Sequence, residues 1–523
     1  MSEDRTADSA EWWRGACLYQ VYLRSFADSN GDGEGDLAGL LGRLDYLAWL
    51  GVEGLWITPF FPSPMHDSGY DVANYRDVDP RFGTLADFDR VVGRAHALGL
   101  KVIIDQVYSH SSNLHPWFED SASARSGPRA EWYVWADPRA DGSPPNNWLA
   151  QFGGPSWTWH PARRQYYLHN FLAEQPDLNL HTPEVQDEIL DIMRFWFARG
   201  VDGMRLDTVN FYMHDPALPD NPPAGLDDVP ANPAAMQRHV NDRSQPGNLP
   251  FIERMREVAG EHMLLGEISA EDQLARMNEY TAPGRLHTAY SFALLHEGPD
   301  GAAIARAVAD MAAGPGWPSW SFSNHDVIRV ASRWGAEGRP GRAVMLLALL
   351  LSLRGTVILY QGEELGLPHA DVPREALQDP QARRVSAGGS GRDGARTPMA
   401  WEDAPGLGFS DAAPWLPADP RHRALSVARQ SEDLASTLHH GRALIGLRRA
   451  EAALRLGSFE TLEADAGGLA FLRRHEGRGL LCAFNFADHP RPLPDIATTV
   501  PLAGRAENGQ LPADGFLIAA TAE

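Results

Sequence analysis

PEVQDEILDIMRFWFARGVDGMRLD, residues 183–207, joins an amphipathic helix-like segment, Pro183 to Ala198, to a short strand-like run, Gly203-Met-Arg-Leu-Asp207, that stops on a carboxylate. The same couplet recurs along the chain. Strand-like runs stand at CLYQVY, GLWIT, KVIID, GMRLD, MLLGE, TAYSF, WSFSN and TVILY, and helix-like segments lie between most of them: Leu37 to Leu50, Leu85 to Leu98, Phe251 to Ala259 and Arg342 to Leu353. Such repetition predicts an α/β fold in which parallel strands close into a (β/α)8 TIM barrel, with an open doubly wound sheet as the rival arrangement. In a barrel of this kind the chemistry sits at the carboxyl ends of the strands. Three acids fall there: Asp207, Glu267 in MLLGE and Asp326 in Phe322-Ser-Asn-His-Asp326.

Two long stretches break the rhythm, and segments of that length in a compact domain are usually functional or fold on their own. Residues 111–180, rich in Trp, Pro and Asn, read as a subdomain inserted after the third strand. Residues 211–248 carry seven prolines, from Pro216 to Pro246, and read as a stiff lid. Beyond Arg449, period-two runs such as LAFLRRH and LLCAFNF predict a small antiparallel β module. The expected division is therefore 1–110 with 181–449 as the barrel, 111–180 as the insertion and 450–523 as the C-terminal β domain.

A formal net charge of −23, from 69 acidic against 46 basic residues, disfavours nucleic acid and anionic membranes as partners and suits a small neutral ligand. The first twenty residues are polar and acidic where a secretory signal is basic and then apolar. The longest apolar run, Ala343 to Leu353, is about half of a ~20-residue membrane span. A cytoplasmic protein is expected. Cys17 and Cys482 are the two cysteines, far apart and each inside an apolar run, which predicts buried thiols rather than a disulfide.

Breaking a glycosidic bond needs one carboxylate to attack the sugar and a second, protonated carboxyl to release the departing oxygen. Asp105-Gln-Val-Tyr-Ser-His110, Gly203-Met-Arg-Leu-Asp207, Gly266-Glu267 and Phe322-Ser-Asn-His-Asp326 follow one another at strand ends, and Gln175-Pro-Asp-Leu-Asn179 precedes the third barrel helix. In order and placement these segments resemble the α-amylase superfamily, glycoside hydrolase family 13, and within it the α-glucosidase and oligo-1,6-glucosidase branch. The resemblance runs from about Tyr19 through the β module. It implies Asp207 as nucleophile, oriented by Arg205 two residues earlier on the same strand face, Glu267 as general acid and base, and Asp326 as the third carboxylate gripping sugar hydroxyls. It further implies His110 and His325 as hydroxyl partners, Asp67 and Tyr70 as a clamp on the terminal sugar, Phe152 as an aromatic wall, and Arg392 as the partner of Asp67. Arg396 stands in the same GRDGARTPM segment as a second candidate for that last role.

By this resemblance the chain is expected to be a retaining, exo-acting α-glucosidase acting on short α-glucosides, with a transglucosylase or a sucrose- or α-1,6-glucoside-cleaving enzyme on the same site, and a non-catalytic relative, as the rival readings. Thr208 bears on linkage, because branch members that prefer α-1,6 bonds resemble one another in carrying Val there; Thr has nearly the same volume but adds a hydroxyl, which implies α-1,4 preference. Ser109 departs from the Asn usual in the first motif and puts in doubt the calcium that this Asn ligates in many relatives. Asp28-Ser-Asn-Gly-Asp-Gly-Glu-Gly-Asp36 offers oxygens at alternate positions with glycines between them, as hard divalent ions require. It resembles the first-loop calcium site of the branch, and Ca²⁺, ahead of Mg²⁺, is the expected ion, held by Asp28, Asn30, Asp32 and Asp36 with the Glu34 carbonyl.

Overall fold

The computed structural model describes residues 11–226, 230, 232–296, 298–384 and 391–522. Residues 1–10 of the acidic leader and residues 227–229 and 231 of the proline-rich stretch lie outside these. Eight parallel strands form one sheet: β1 (Cys17–Val21), β2 (Gly54–Ile57), β3 (Lys101–Gln106), β4 (Gly203–Leu206), β5 (Met263–Ile268), β6 (Thr288–Ser291), β7 (Ser319–Trp320) and β8 (Thr356–Tyr360). Their hydrogen-bonded order is β7-β8-β1-β2-β3-β4-β5-β6. A parallel bridge from Ala289 to Pro318 joins the two ends, so the sheet closes on itself as a TIM barrel.

Period two does most of the sorting. Cys17, Tyr19, Leu55, Ile57, Val102, Ile104, Met204, Leu206, Val357 and Leu359 point outward into the main core that the helices cover. Leu18, Trp56, Ile103, Met263, Leu265, Tyr290 and Ile358 point inward and pack as a second cluster along the axis. One step further toward the carboxyl ends, the same inward parity places Gln20, Asp105, Arg205 and Glu267, all buried. The barrel is thus apolar below and polar at its top.

The outer ring comprises α1 (Leu37–Leu50), α2 (Leu85–Ala97), α3 (Pro183–Ala198), α4 (Asn248–Ala259), α5 (Gln273–Tyr280), α6 (Gly301–Ala313), α7 (Pro340–Ser352) and α8 (Thr437–Ala450). Local chemistry sets their ends. The Asp36 carboxylate caps α1 by accepting from the Gly39 N–H, and Gly51, at φ 95°, ends it in the left-handed region that glycine adopts without strain. A Thr84–Asp87 capping box starts α2. The WSFSN run proves shorter as a strand than its alternation suggests. Only Ser319–Trp320 pairs, because the Ser and Asn side chains beyond it bond to nearby backbone: Ser321 donates to the Ser323 carbonyl, Ser323 accepts from Val330 N–H at 2.8 Å and Asn324 from Asp326 N–H at 2.9 Å.

After β3 the chain leaves the barrel and builds a three-stranded antiparallel sheet, in which Gln165–Leu168 lies between Trp135–Ala136 and Trp157–His160, before re-entering at α3. The bridge His110–Asp177 ties this insertion to the barrel mouth, and Tyr133–Leu178 pairs two of its own segments. At the C-terminus a five-stranded antiparallel sheet takes Glu460–Asp465, Gly468–His475, Arg478–Asn485, Phe516–Thr521 and Thr498–Gly504 in that spatial order. Cys17 and Cys482 are both buried and free. Among the described residues no helix is long and apolar enough to cross a membrane.

Candidate active site

A cavity of about 400 Å³ opens at the carboxyl ends of the strands, between barrel, insertion and the proline-rich stretch. Asp67, Tyr70, His110, Phe152, Asp207, Thr208, Glu267, His325, Asp326 and Arg392 all line it. Arg205 lies beneath its floor, with no exposed surface. From there its guanidinium reaches three acids at once: Nη1 meets Asp207 Oδ1 at 2.7 Å and Asp105 Oδ1 at 2.8 Å, and Nη2 meets Glu267 Oε2 at 2.6 Å. The Tyr290 hydroxyl accepts from Nη2 at 2.8 Å and donates to Glu267 Oε1 at 3.2 Å. Trp56 Nε1 and the Tyr70 hydroxyl both donate to Asp105 Oδ2, at 3.1 and 2.9 Å.

Three buried carboxyls around one cation leave an excess of negative charge, and their ionisation shows it. Burial pushes Glu267 up to about 7, with Arg205 opposing and Asp207 and Asp326 reinforcing. Asp207 likewise rises to about 7, burial leading, Arg205 opposing, and Asp105 and Asp326 adding to it. Near neutral pH one proton therefore resides on the pair. Hydrogen bonds locate it. Both Asp207 oxygens accept, Oδ1 from Arg205 and Oδ2 from the Thr208 hydroxyl at 3.1 Å. Glu267 Oε2 takes Arg205 and the Thr208 N–H at 3.0 Å, whereas Oε1 has only the longer Tyr290 contact, so Oε1 is the oxygen placed to hold a proton toward the cavity.

A second cationic group faces this one. Arg392 Nη2 meets Asp67 Oδ1 at 2.8 Å and Nη1 meets Asp326 Oδ1 at 3.3 Å. Arg396 Nη2 meets the same Asp326 oxygen at 2.8 Å, so the two arginines of GRDGARTPM divide the carboxylates between them. Burial pushes Asp326 up, but His325, Arg396 and Arg392 more than offset it and hold this carboxyl well below the usual range. The Tyr70 and His325 rings stack at 5.3 Å, and Phe152 lies 4.8 Å from the Arg392 guanidinium carbon. Burial lowers His110 to about 4, so that ring is neutral, and burial lowers His325 as well, with Asp326 opposing.

Several contributors escape a linear reading. Asp379, fully buried, accepts from Arg392 Nε, Nη2 and backbone N–H at 3.0, 2.8 and 2.8 Å and so fixes the fork that Asp67 and Asp326 share. Phe171 and Phe211 stack at 5.7 Å on the cavity wall, and Asn232 joins it from the proline-rich stretch. Asp105 had a signal, since it shares the inward parity of Ile103. The Thr208 hydroxyl turns to Asp207 Oδ2 and, at 3.2 Å, to Ser109 Oγ. Its polarity therefore acts on Asp207 directly.

In the glycine-rich loop, Asp28 Oδ1 accepts from the N–H groups of Asn30 and Gly31, Asn30 Oδ1 from Asp32, and Asp32 Oδ1 from Glu34, all at 2.8–3.0 Å. Asp36 turns instead to Ser29 and to its cap on α1, and the Glu34 carboxylate pairs with Arg24 at 2.5 Å. Among the described residues, no three His, Cys, Asp or Glu side chains gather as metal ligands.

With this geometry in view, comparison with known proteins is direct: the family described as "Alpha amylase, catalytic domain" matches residues 20–457. The chain belongs to the alpha-amylase family. It is thus an enzyme of the glycoside hydrolase class. A probable alpha-glucosidase of Rhizobium meliloti (strain 1021) is 50% identical over 496 residues, covering 91% of this chain and 90% of its own length. The oligo-1,6-glucosidase of Heyndrickxia coagulans is 34% identical over 527 residues, with 92% and 93% covered. Among solved structures, an alpha-glucosyl transfer enzyme superposes with a TM-score of 0.94 at 50% identity, over 98% of this chain and 99% of that one. The trehalulose synthase MutB of Pseudomonas mesoacidophila MX-45 gives 0.89 at 31%, over 98% and 99%.

The ionisation of Glu267 predicts a stability cost. Between about 4.5 and 7 the folded chain keeps a proton there that the unfolded chain has lost, so stability falls as pH rises through that window. Glu267→Gln removes the loss: at pH 8 its unfolding free energy exceeds that of the wild type by on the order of 3 kcal/mol, seen as a higher Tm, and the margin closes toward pH 4.5. Equal thermal unfolding curves at pH 8 would contradict this.

Proposed function

We propose that the protein is a retaining, exo-acting α-glucosidase that releases the terminal glucose of short α-1,4-linked glucosides. The observation that carries this reading is the single Arg205 guanidinium bonded to both Asp207 and Glu267 at the cavity floor. Acids that share one cation stand side by side, as in a retaining pair at about 5–5.5 Å, rather than apart around a water as in an inverting one at about 6.5–9.5 Å. Asp207, with both oxygens oriented, attacks the anomeric carbon as Glu267 gives its proton to the departing oxygen. The now ionised Glu267 takes a proton from water, and that water releases α-glucose from Asp207. Asp326, kept ionised, suits the hydroxyls of the distorted sugar, while Tyr70 and Phe152 offer flat apolar faces to its C–H side. The Arg392–Asp67 pair closes one end of the cavity, which favours an exo mode.

Similarity to an alpha-glucosyl transfer enzyme supports a second reading on the same residues, in which a sugar or alcohol hydroxyl replaces water in the second half-reaction. NMR of fresh product distinguishes the mechanisms: α-glucose is expected first, β-glucose would refute retention, and disaccharide products growing with substrate concentration would mark transfer. Asp207→Asn abolishes turnover, and Glu267→Gln slows maltose cleavage by roughly 10²–10⁴-fold while sparing kcat/KM, though not kcat, on an aryl glucoside whose leaving group needs no proton, because release of the glucosyl-enzyme still lacks its base. On linkage, the hydroxyl of Thr208 supports maltose over isomaltose, and initial rates in the opposite order would overturn it.

The oxygen-rich loop supports a hard-cation site, because the side chains of Asp28, Asn30 and Asp32 follow one another around one turn and Asn30 Nδ2 reaches Asp32 Oδ2 at 3.1 Å. Ca²⁺ is the proposed ion, held by these three and the Glu34 carbonyl, with Asp36 joining if it releases Ser29. Chelation is expected to lower Tm, and an unchanged Tm would leave a metal-free turn.

A further inference from the structure

Ser109 stands where the first motif of the family usually has Asn, and its surroundings form a line of contacts that ends on the proposed nucleophile. Ser109 Oγ lies 2.9 Å from His110 Nδ1 and 3.2 Å from Thr208 Oγ1, and Thr208 Oγ1 lies 3.1 Å from Asp207 Oδ2. All four residues are buried. Three contacts need three hydrogens, and the two hydroxyls supply only two.

The orientation of Gln175 identifies the third. Its Oε1 accepts the Leu172 N–H at 3.1 Å, which obliges Nε2 to face Asp67 Oδ2 at 3.2 Å and His110 Nε2 at 3.1 Å. One amide hydrogen goes to Asp67, and the other is aimed at the imidazole. A neutral His110 accepts it only if its own hydrogen sits on Nδ1. The chain is then complete and runs one way: Gln175 to His110, His110 Nδ1–H to Ser109, Ser109 to Thr208, and Thr208 to Asp207 Oδ2. The competing tautomer, with hydrogen on Nε2, donates to the Tyr70 carbonyl at 3.1 Å, but it sets two N–H groups against each other at Gln175 and leaves the Ser109–Thr208 contact without a hydrogen. The count favours Nδ1–H.

We propose that Ser109 is a positioning residue that orients the Thr208 hydroxyl onto Asp207 and thereby helps keep the nucleophile ionised. This rests on the assignment of Asp207 above and extends it to a residue that never meets the substrate. A hydroxyl held from behind has one place to donate; without Ser109 it can rotate away, and the carboxylate loses a hydrogen bond to its charged form. The other charged and titratable groups facing Asp207 are Arg205, Asp105, Glu267, Asp326, Tyr70 and Tyr212, and the substitutions below leave them all in place.

The test is the pH profile of kcat/KM on an aryl α-glucoside, measured for Ser109→Ala, Thr208→Val, the double variant and Ser109→Thr, with Tm recorded for each. Ser109→Ala is expected to raise the acidic limb by about half a pH unit, since loss of one hydrogen bond to a charged group acts here through an intermediary. Thr208→Val raises it at least as far, the double variant matches Thr208→Val because both act along one chain, and Ser109→Thr keeps the wild-type limb. An unmoved limb in Ser109→Ala, shifts that add in the double variant, or a Ser109→Thr limb equal to that of Ser109→Ala would each overturn the proposal. Ordinary turnover by Asp207→Asn would instead sink the catalytic assignment itself, which keeps the two failures apart.

Discussion

A guanidinium with no access to solvent, shared by three carboxyl groups, is the constraint around which the barrel top is organised. Arg205 alone cannot neutralise Asp105, Asp207 and Glu267, and taking so many charges out of water is costly unless each is hydrogen-bonded. The surroundings meet that demand. Tyr290, Trp56, Tyr70 and the Thr208 N–H and hydroxyl donate to the acids, and the Trp56 ring lies 4.9 Å from the Arg205 guanidinium carbon. Burial, reinforced by the residual negative charge, lets a proton stay near neutrality on a carboxyl that would otherwise have lost it. Across the cavity the balance reverses: Arg392 and Arg396 surround Asp326 and leave it ionised. Two clusters of opposite bias thus give chemically identical side chains different protonation.

The backbone makes this possible through parity. Each barrel strand sends alternate residues inward, so an Arg and an Asp two apart on β4 and its extension meet on one face, and in-register neighbours extend the layer: Asp105 pairs with Arg205 across β3–β4, and Glu267 with Tyr290 across β5–β6. Packing below this layer is apolar, which fixes the height at which the charges sit.

That parity is also why much of the fold was legible in the sequence. The eight runs, the insertion after the third and the late β sheet follow from hydrophobic period and from interruptions in it, and two of the cavity-lining acids, Asp207 and Glu267, end runs. What escaped depends on paths that no period encodes. Asp379 meets Arg392 thirteen positions further along the chain, and Tyr290 reaches Glu267 only because the strands are in register. The early end of β7 was hidden for a different reason: Ser321 and Ser323 alternate with Trp320 and Phe322 as in a strand, yet their short polar side chains and that of Asn324 compete for the backbone groups a ladder would use. The glycine-rich loop shows the converse case, in which composition offers oxygens but the helix cap claims Asp36.

Thr208 has φ 38°, a left-handed backbone that β-branched residues rarely adopt, and from there it donates its N–H to Glu267 and its hydroxyl to Asp207. One residue in this unfavourable conformation therefore spans both reactive groups, held by its own hydrogen bonds to them. The spacing of the pair is inherited from the rest of the domain, whose cooperative packing supplies the restoring force, so any loosening of the barrel reaches the reaction centre as a relaxing spring before the chain unfolds.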